Sequence, residues 1–351
     1  MQQHDRETAI AAFFENAYAT FQSAVRAEGG VVRHDFSLAG QNICLRFAGE
    51  ALVPSLTAAF QHLPAPSTPE AGLTVYVWDS VSTKTEIPAV PWSQQAYTSG
   101  GRIEDYISKR FIIIPHLKGS ALSILDKERN VGLYWVGDAA QLPYYESGAP
   151  LRSILHHWMQ MHGWQFVHAA AVGTDAGGVL LTGKGSSGKS TAALACLLAG
   201  MLYVSDDYCL VTVNPRPYVR SLYSSAKVDA DQLNMLPQLA PLVSNASNLV
   251  SEKALLFLQQ HFPGKVVQGF PIRAIFLLSI TGKPNAILKP VSPGRALMSL
   301  APSTLFQLPG VAESDFRTME HLVREVSCYV LELGTNLAEI PTIISDFLAG
   351  G

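Results

Sequence analysis

The chain has 351 residues, with 25 basic against 28 acidic, 48% hydrophobic and 15% charged. That length allows about two domains, and the apolar content supplies a sizeable core. The near-balanced charge, without any basic run, argues against nucleic acid or an anionic membrane as partner. Cys44, Cys196, Cys209 and Cys328 lie in apolar segments without a Cys-x-x-Cys pair. Free buried thiols are therefore expected, not a disulfide framework. No apolar signal core opens the chain and no apolar run approaches a membrane span, so the expected compartment is the cytoplasm.

In chain order, Thr8–Ala27 is predicted helical from Ala12, Phe13, Ala17, Tyr18 and Phe21, and Gly29-Gly30 stops it. Phe36–Leu38 and Ile43–Phe47 are predicted strands, Leu52–His62 a helix, and Leu63–Pro69 a Pro-rich loop. Leu73–Trp78 alternates as a strand does, and residues 80–102 are expected to be irregular. Phe111–Pro115, Ala121–Leu125 and Val131–Val136 suggest a meander. These segments make a mixed α+β domain over residues 1–145, with acceptor recognition as one possible role.

The second domain is expected over 146–351. Leu151–Met161 is a predicted helix whose adjacent His156 and His157 point to different faces and cannot share a metal. Trp164–Gly173 is a predicted strand, and Asp175–Gly178 turns it into the strand Gly178–Thr182, so the sheet is not purely parallel. A helix over Thr191–Ala199 follows, then strands Met201–Val204 and Tyr208–Val213. Pro237–Leu249 is expected as loop, Lys253–His261 as helix and Ile272–Ile280 as a strongly apolar strand. Gly294–Leu300 and Asp315–Val326 are expected helices, Cys328–Leu333 a strand and Ile340–Leu348 a closing helix.

Between the strand Gly178–Thr182 and its helix lies Gly183-Lys184-Gly185-Ser186-Ser187-Gly188-Lys189-Ser190-Thr191, which fits G-x-x-x-x-G-K-[ST] at every fixed position. Strand before and helix after are the setting a phosphate-binding loop requires. Glycines let successive N–H groups face one anion, and the helix adds its N-terminal dipole. Lys189 is placed to reach the β- and γ-phosphates, and Ser190 to ligate Mg²⁺. Gly183, Gly185 and Gly188 also satisfy the dinucleotide pattern, but Lys189-Ser190-Thr191 decides for a nucleoside triphosphate.

Such a site needs a carboxylate for the metal, usually at the end of a neighbouring apolar strand. Asp206-Asp207 follows Met201–Val204, with Asp206 17 residues after Lys189. Extended backbone would send the two side chains to opposite faces, whereas a bend would bring both inward. A second carboxylate near the γ-phosphate suits a kinase that orients or deprotonates a hydroxyl. His168, 21 residues before Lys189, reads on its own as a core histidine. Arg295 reads as a surface residue with a phosphate contact as the alternative, and Ser303-Thr304 as a helix start.

His168-Ala169-Ala170-Ala171-Val172, the loop Gly183–Thr191 and Asp206-Asp207 together resemble the catalytic core of the HPr kinase/phosphorylase family, whose HPr-kinase-like members include serine kinases that tailor lasso peptides. The resemblance spans about residues 164–212, with a weaker extension over Pro271–Leu278. It implies an α/β P-loop kinase core with a mixed sheet, ATP and Mg²⁺ as donor and cofactor, and a serine hydroxyl of a peptide or protein as acceptor. Asp206 would help hold the metal and Asp207 would be the base, or the reverse; His168 would tune the cluster, and Arg273 would stabilise the transferring group. The family's second acidic metal ligand is not intact: Asp229 or Asp231 would replace it, or Lys227 would supply charge differently. A lasso-peptide precursor is one concrete acceptor. A small-molecule kinase and a nucleotide-binding switch that transfers nothing are the alternatives, and a homo-oligomer stays open.

Overall fold

The computed structural model describes residues 3–92, 108–116, 120–305, 308 and 313–350. Residues 93–102 of the stretch expected to be irregular lie outside these. Two compact units emerge, one of Met1–Ala58 with Leu63–Met161 and one of Ala59–His62 with His162–Gly351. Among the described residues no helix is long and apolar enough to cross a membrane.

The first unit runs α1 (Gln3–Glu28), β1 (Val31–Leu38), β2 (Gln41–Ala48), α2 (Val53–Thr57), β3 (Leu73–Asp79), α3 (Ser80–Thr83), β4 (Phe111–His116), β5 (Ala121–Asp126), β6 (Val131–Val136), α4 (Tyr144–Gly148) and α5 (Arg152–Met161). Its six strands form one sheet in the order β1-β2-β3-β6-β5-β4. The expected meander is present as β4, β5 and β6 in antiparallel succession, while β3 joins β2 and β6 in parallel. Phe13, Phe14, Ala17 and Phe21 recur at helical spacing on α1 and pack with Trp78, Phe111 and Ile113.

The boundary expected at 145 falls instead after Met161. Ile154 of α5 lies against Gly132 of β6, and Trp158 donates from Nε1 to Asn130 Oδ1 at 3.0 Å, which binds this helix to the first unit. The helix expected over Leu52–His62 is also cut. α2 gives way to a 3-10 turn at Ala58–Phe60, and Ala59–His62 belongs to the second unit. There the Ser224 amide donates to Ala59 O at 2.8 Å, and Ser221 Oγ lies 2.7 Å from His62 Nε2.

The second unit contains β7 (Gln165–Val167), β8 (Ala170–Thr174), β9 (Gly177–Thr182), α6 (Lys189–Leu198), β10 (Leu202–Ser205), β11 (Cys209–Thr212), β12 (Tyr218–Ser221), β13 (Ser225–Val228), α7 (Ala230–Asn234), β14 (Ala254–Phe257), β15 (Gly269–Ile280), β16 (Ile287–Pro290), α8 (Pro293–Leu305), α9 (Glu313–Glu325), β17 (Ser327–Leu333) and α10 (Glu339–Ala349). The main path of the nine-stranded sheet is β10-β8-β9-β15-β12-β11-β7, with β17 on β15 and β16 on β17. β15 runs parallel to both β9 and β17, whereas β8 and β9 form an antiparallel hairpin, so the sheet is mixed as expected.

Side-chain alternation along β15 gives the sheet two covered faces. Ala274, Phe276 and Leu278 join α6 and α10 in one core, while Ile275 and Leu277 join α8 and α9 in the other.

Two elements depart from the sequence reading. Lys253–His261, expected as a helix, holds β14 and a short 3-10 turn, because Ala254–Phe257 pairs with β13 along its whole length. The run Leu255-Leu256-Phe257-Leu258 carries no period, so the neighbouring strand decides its conformation. The strand expected over Trp164–Gly173 is two strands, β7 pairing with β11 and β8 with β9 and β10.

Candidate functional site

β9 delivers the chain into the glycine-rich loop and α6 takes it away, as the motif requires. Gly188, the residue before α6, has φ +92°, and a Cβ there would lie 2.8 Å from Leu333 Cδ1. Any L side chain would be strained at that position. Lys189 curls back over the loop and donates from Nζ to Gly183 O at 2.8 Å and Lys184 O at 3.3 Å. Burial lowers the Lys189 pKa, and Asp206 and Asp207 work against that fall. Thr182 Oγ1 and Ser187 Oγ are buried here without a hydrogen-bond partner among the described residues.

The acid pair arises from a change of sheet partner. β8 pairs with β10, but one step along the same two segments β7 pairs with β11. Both segments break at the crossover, His168-Ala169 on one and Asp206-Asp207-Tyr208 on the other. β10 shifts register between Tyr203 and Ser205, and Ser205 Oγ donates to Tyr208 O at 2.5 Å across the bend. The bent alternative thus holds, and both acids meet one residue. Asp206 Oδ2 accepts from the Lys227 amide at 3.0 Å, while the Lys227 ammonium lies 2.5 Å from Asp207 Oδ2. His168 Nε2 lies 2.9 Å from Asp207 Oδ1, and its ring packs on Tyr208 with centroids 5.6 Å apart.

These surroundings separate the two carboxyls. Burial, helped by the charge of Asp207, pushes Asp206 up to about 6, against the hydrogen bond from the Lys227 amide and the influence of the nearby Ser190 hydroxyl. Asp206 is 2% exposed, and its Oδ1 has no partner meeting hydrogen-bond geometry among the described residues. Burial works to raise Asp207 too. There the Lys227 charge and the His168 hydrogen bond win, holding it well below the ordinary carboxylate range.

Arg273 does not join this group. β15 is parallel to β9, with Ala274 opposite Val179 and Leu277 opposite Thr182, where the loop begins. Arg273 therefore sits at the far end, about 13 Å back along the strand. Its Nε donates to Ala176 O at 2.8 Å, over Gly177. The role in phosphoryl transfer expected of Arg273 is thus withdrawn on geometric grounds. Asp229 pairs with Lys253 at 3.1 Å and Asp231 lies in the first turn of α7, whereas Lys227 contacts both acids of the pair.

A cleft of about 550 Å³ adjoins the leading arm of the loop, with Lys184 and Gly185 on one side and Arg295, Met298, Ser299 and Ser303 of α8 on the other. Arg295 is exposed, as expected, and also lies beside the loop. Ser303-Thr304 sits in the last turn of α8, not at a helix start, and Thr304 Oγ1 accepts the His168 amide proton at 3.1 Å.

The residues fit a triphosphate with Mg²⁺. Asp206 Oδ1 is a buried acceptor in want of a partner, close to the Ser190 hydroxyl, and the loop offers a helix N-terminus with Lys189. Among the described residues no cluster of three or more His, Cys, Asp or Glu could hold a metal on its own. Mg²⁺ is commonly shared in this way between one carboxylate, a hydroxyl and substrate phosphates.

No protein-family model matches the sequence, and no curated protein matches it. Among solved structures, the chain is similar to the Hpr(Ser) kinase/phosphatase from Coxiella burnetii. The identity is 13% and the TM-score 0.29, over 53% of this chain and 95% of that chain. A likeness of this degree carries no weight for activity, which rests on the geometry of the site.

Proposed function

We propose that this protein is an ATP-dependent, HPr-kinase-like phosphotransferase that moves the γ-phosphoryl group to a serine hydroxyl of a peptide or protein. One observation carries the reading. A buried aspartate with an open oxygen stands next to the phosphate loop, and its neighbour is held ionised by a lysine and a histidine. A protein that only binds nucleotide needs the loop and one carboxylate; the second acid and its two partners support chemistry.

The loop N–H groups and Lys189 bind the phosphates, and Ser190 with Asp206 would hold Mg²⁺. When bound, Mg²⁺ supplies charge neutralisation on the phosphate oxygens. Asp207 accepts a hydrogen bond from the incoming hydroxyl and fixes it in line. The serine oxygen forms its bond to phosphorus as the bridging P–O bond breaks, and ADP leaves with that electron pair. The hydroxyl proton passes to Asp207 late, which suits a carboxylate of low proton affinity and a loose transition state. His168 and Lys227 hold the carboxylate in place. The four cysteines are buried and unbridged, which supports a reducing compartment such as the cytoplasm.

The test is incubation with γ-labelled ATP, Mg²⁺ and serine-containing peptides, read as phosphoserine. Label in phosphoserine that chelation of Mg²⁺ abolishes is the expected result. Label on a small hydroxylated molecule alone would replace the peptide acceptor. Binding or hydrolysis of ATP with no acceptor labelled would favour a switch and overturn the kinase reading.

A further inference from the structure

The cleft between the loop and α8 has a definite chemistry. Leu277 on β15 belongs to the core face covered by α8, and it lines this cleft. Met298 adds an exposed apolar side chain, Ser299 and Ser303 add hydroxyls, and Lys184 and Arg295 add charge of a single sign. Arg295 has no hydrogen bond or ion pair from its guanidinium to any described residue. Its field, after those of Lys289 and Lys283, helps to hold Glu332 below its ordinary range.

α8 ties this cleft to the acids. Its first turns carry Arg295 beside β15 and β17, and its last turn receives the His168 amide on Thr304. His168 in turn holds Asp207. The cleft wall and the support of the candidate base are thus the same helix. At 1.5 Å per residue, Arg295 and Thr304, which is two contacts removed from Asp207 through His168, are about 13 Å apart along it, a length of about four extended residues that sets the scale for the acceptor.

We infer that this cleft receives the acceptor, and that the acceptor is a peptide carrying a carboxylate about four residues from the serine that is phosphorylated. The proposal rests on the kinase reading and names the substrate class for it. The peptide lies extended along α8 with its hydroxyl at Asp207 and its carboxylate at Arg295. A guanidinium without a hydrogen-bond or ion-pair partner among the described residues suits that task, because guanidinium is charged at any ordinary pH and can fork onto both carboxylate oxygens. The apolar floor accepts the side chain between them. Complementary charge across such a cleft governs which partner is admitted more than it governs gross affinity.

The experiment uses the full chain and three synthetic peptides that differ only at the fourth residue from a single serine: glutamate, glutamine or lysine. Wild type should phosphorylate the glutamate peptide with kcat/KM about tenfold above the lysine peptide, mostly through KM. Arg295→Glu should remove that preference or invert it, with the affinity for Mg²⁺-ATP unchanged. Serine phosphorylation with equal rates on all three peptides would overturn the inference and leave the kinase reading standing. A preference that survives Arg295→Glu would overturn it as well. Weaker ATP binding in that variant, without any change of preference, would hand the cleft to the nucleotide. Labelling of no peptide by wild type would remove both readings together.

Discussion

Asp126 and Asp206 are both buried aspartates at the ends of strands, one in each unit, yet they are treated in opposite ways. Asp126 is 0% exposed and fully occupied: Arg110 donates from Nε and Nη2 at 2.7–3.2 Å, and the amides of Glu128 and Arg129 add two further bonds. Asp206 is 2% exposed and receives one backbone amide, with its second oxygen left over. A carboxylate that serves the fold is closed by its own turn. One kept for a ligand stays open, and burial then raises its proton affinity. Satisfaction, more than burial, separates the two.

The largest effect should come from the loop that the open acid faces. Lys189→Ala should lower phosphoryl transfer by about a hundredfold or more, measured with labelled ATP, with the fold retained by circular dichroism. Asp207→Asn should follow, with transfer down by about 10²–10⁴ and nucleotide binding kept by calorimetry. Unchanged transfer would remove Asp207 as the proton acceptor.

Stability should divide the two aspartates in sign. Asp126→Asn should destabilise by about 2 kcal/mol in urea melts, at the low end for a buried pair because Arg110 keeps some access to water. Asp206 behaves in reverse. Its folded pKa is about 6 against an ordinary 3.8, so the folded state holds that proton more tightly than the unfolded chain does. Its contribution is full below about pH 4 and is lost as pH rises through about 6, by about 2–3 kcal/mol in all. Asp206→Asn should therefore be more stable than wild type at about pH 8 and equal to it at about pH 4, while responding less to Mg²⁺-ATP. A variant less stable at both would mean that the carboxylate is structural after all. Arg273→Ala should have the smallest effect, within about 0.5 kcal/mol and with transfer unchanged, as for other exposed positions.

Local chemistry explains what could be read before folding. The loop Gly183–Thr191 is legible because its function lies in its own backbone, and the paired acids because they close a short apolar strand. His168 carried no signal of its own and entered only through resemblance. Its partner Asp207 is brought to it by the paired breaks in two strands, which no single segment encodes. Where Arg273 and Arg295 fall relative to the loop is hidden for a similar reason. Which end of β15 meets the loop depends on its parallel register with β9 and not on any residue of β15. Ala254–Phe257 departs from the expected helix because a short apolar run fits helix or strand equally until β13 lies beside it. Lys227 appeared only as one option among three, since its grip on both acids needs main chain and side chain at once.

That double grip makes a two-stranded ribbon the tuning element for two neighbouring charges. β13 presents Lys227 by pairing with Leu255 across to β14. A slip of one position would offer Ala226 or Val228 in its place and turn the ammonium to the opposite side. Asp207 would then lose its cation, and Asp206 the amide that anchors it. Repacking Leu255 or Leu256, which touch neither carboxylate, is thus a remote means of detuning both, and directed evolution for altered pH response would find purchase there.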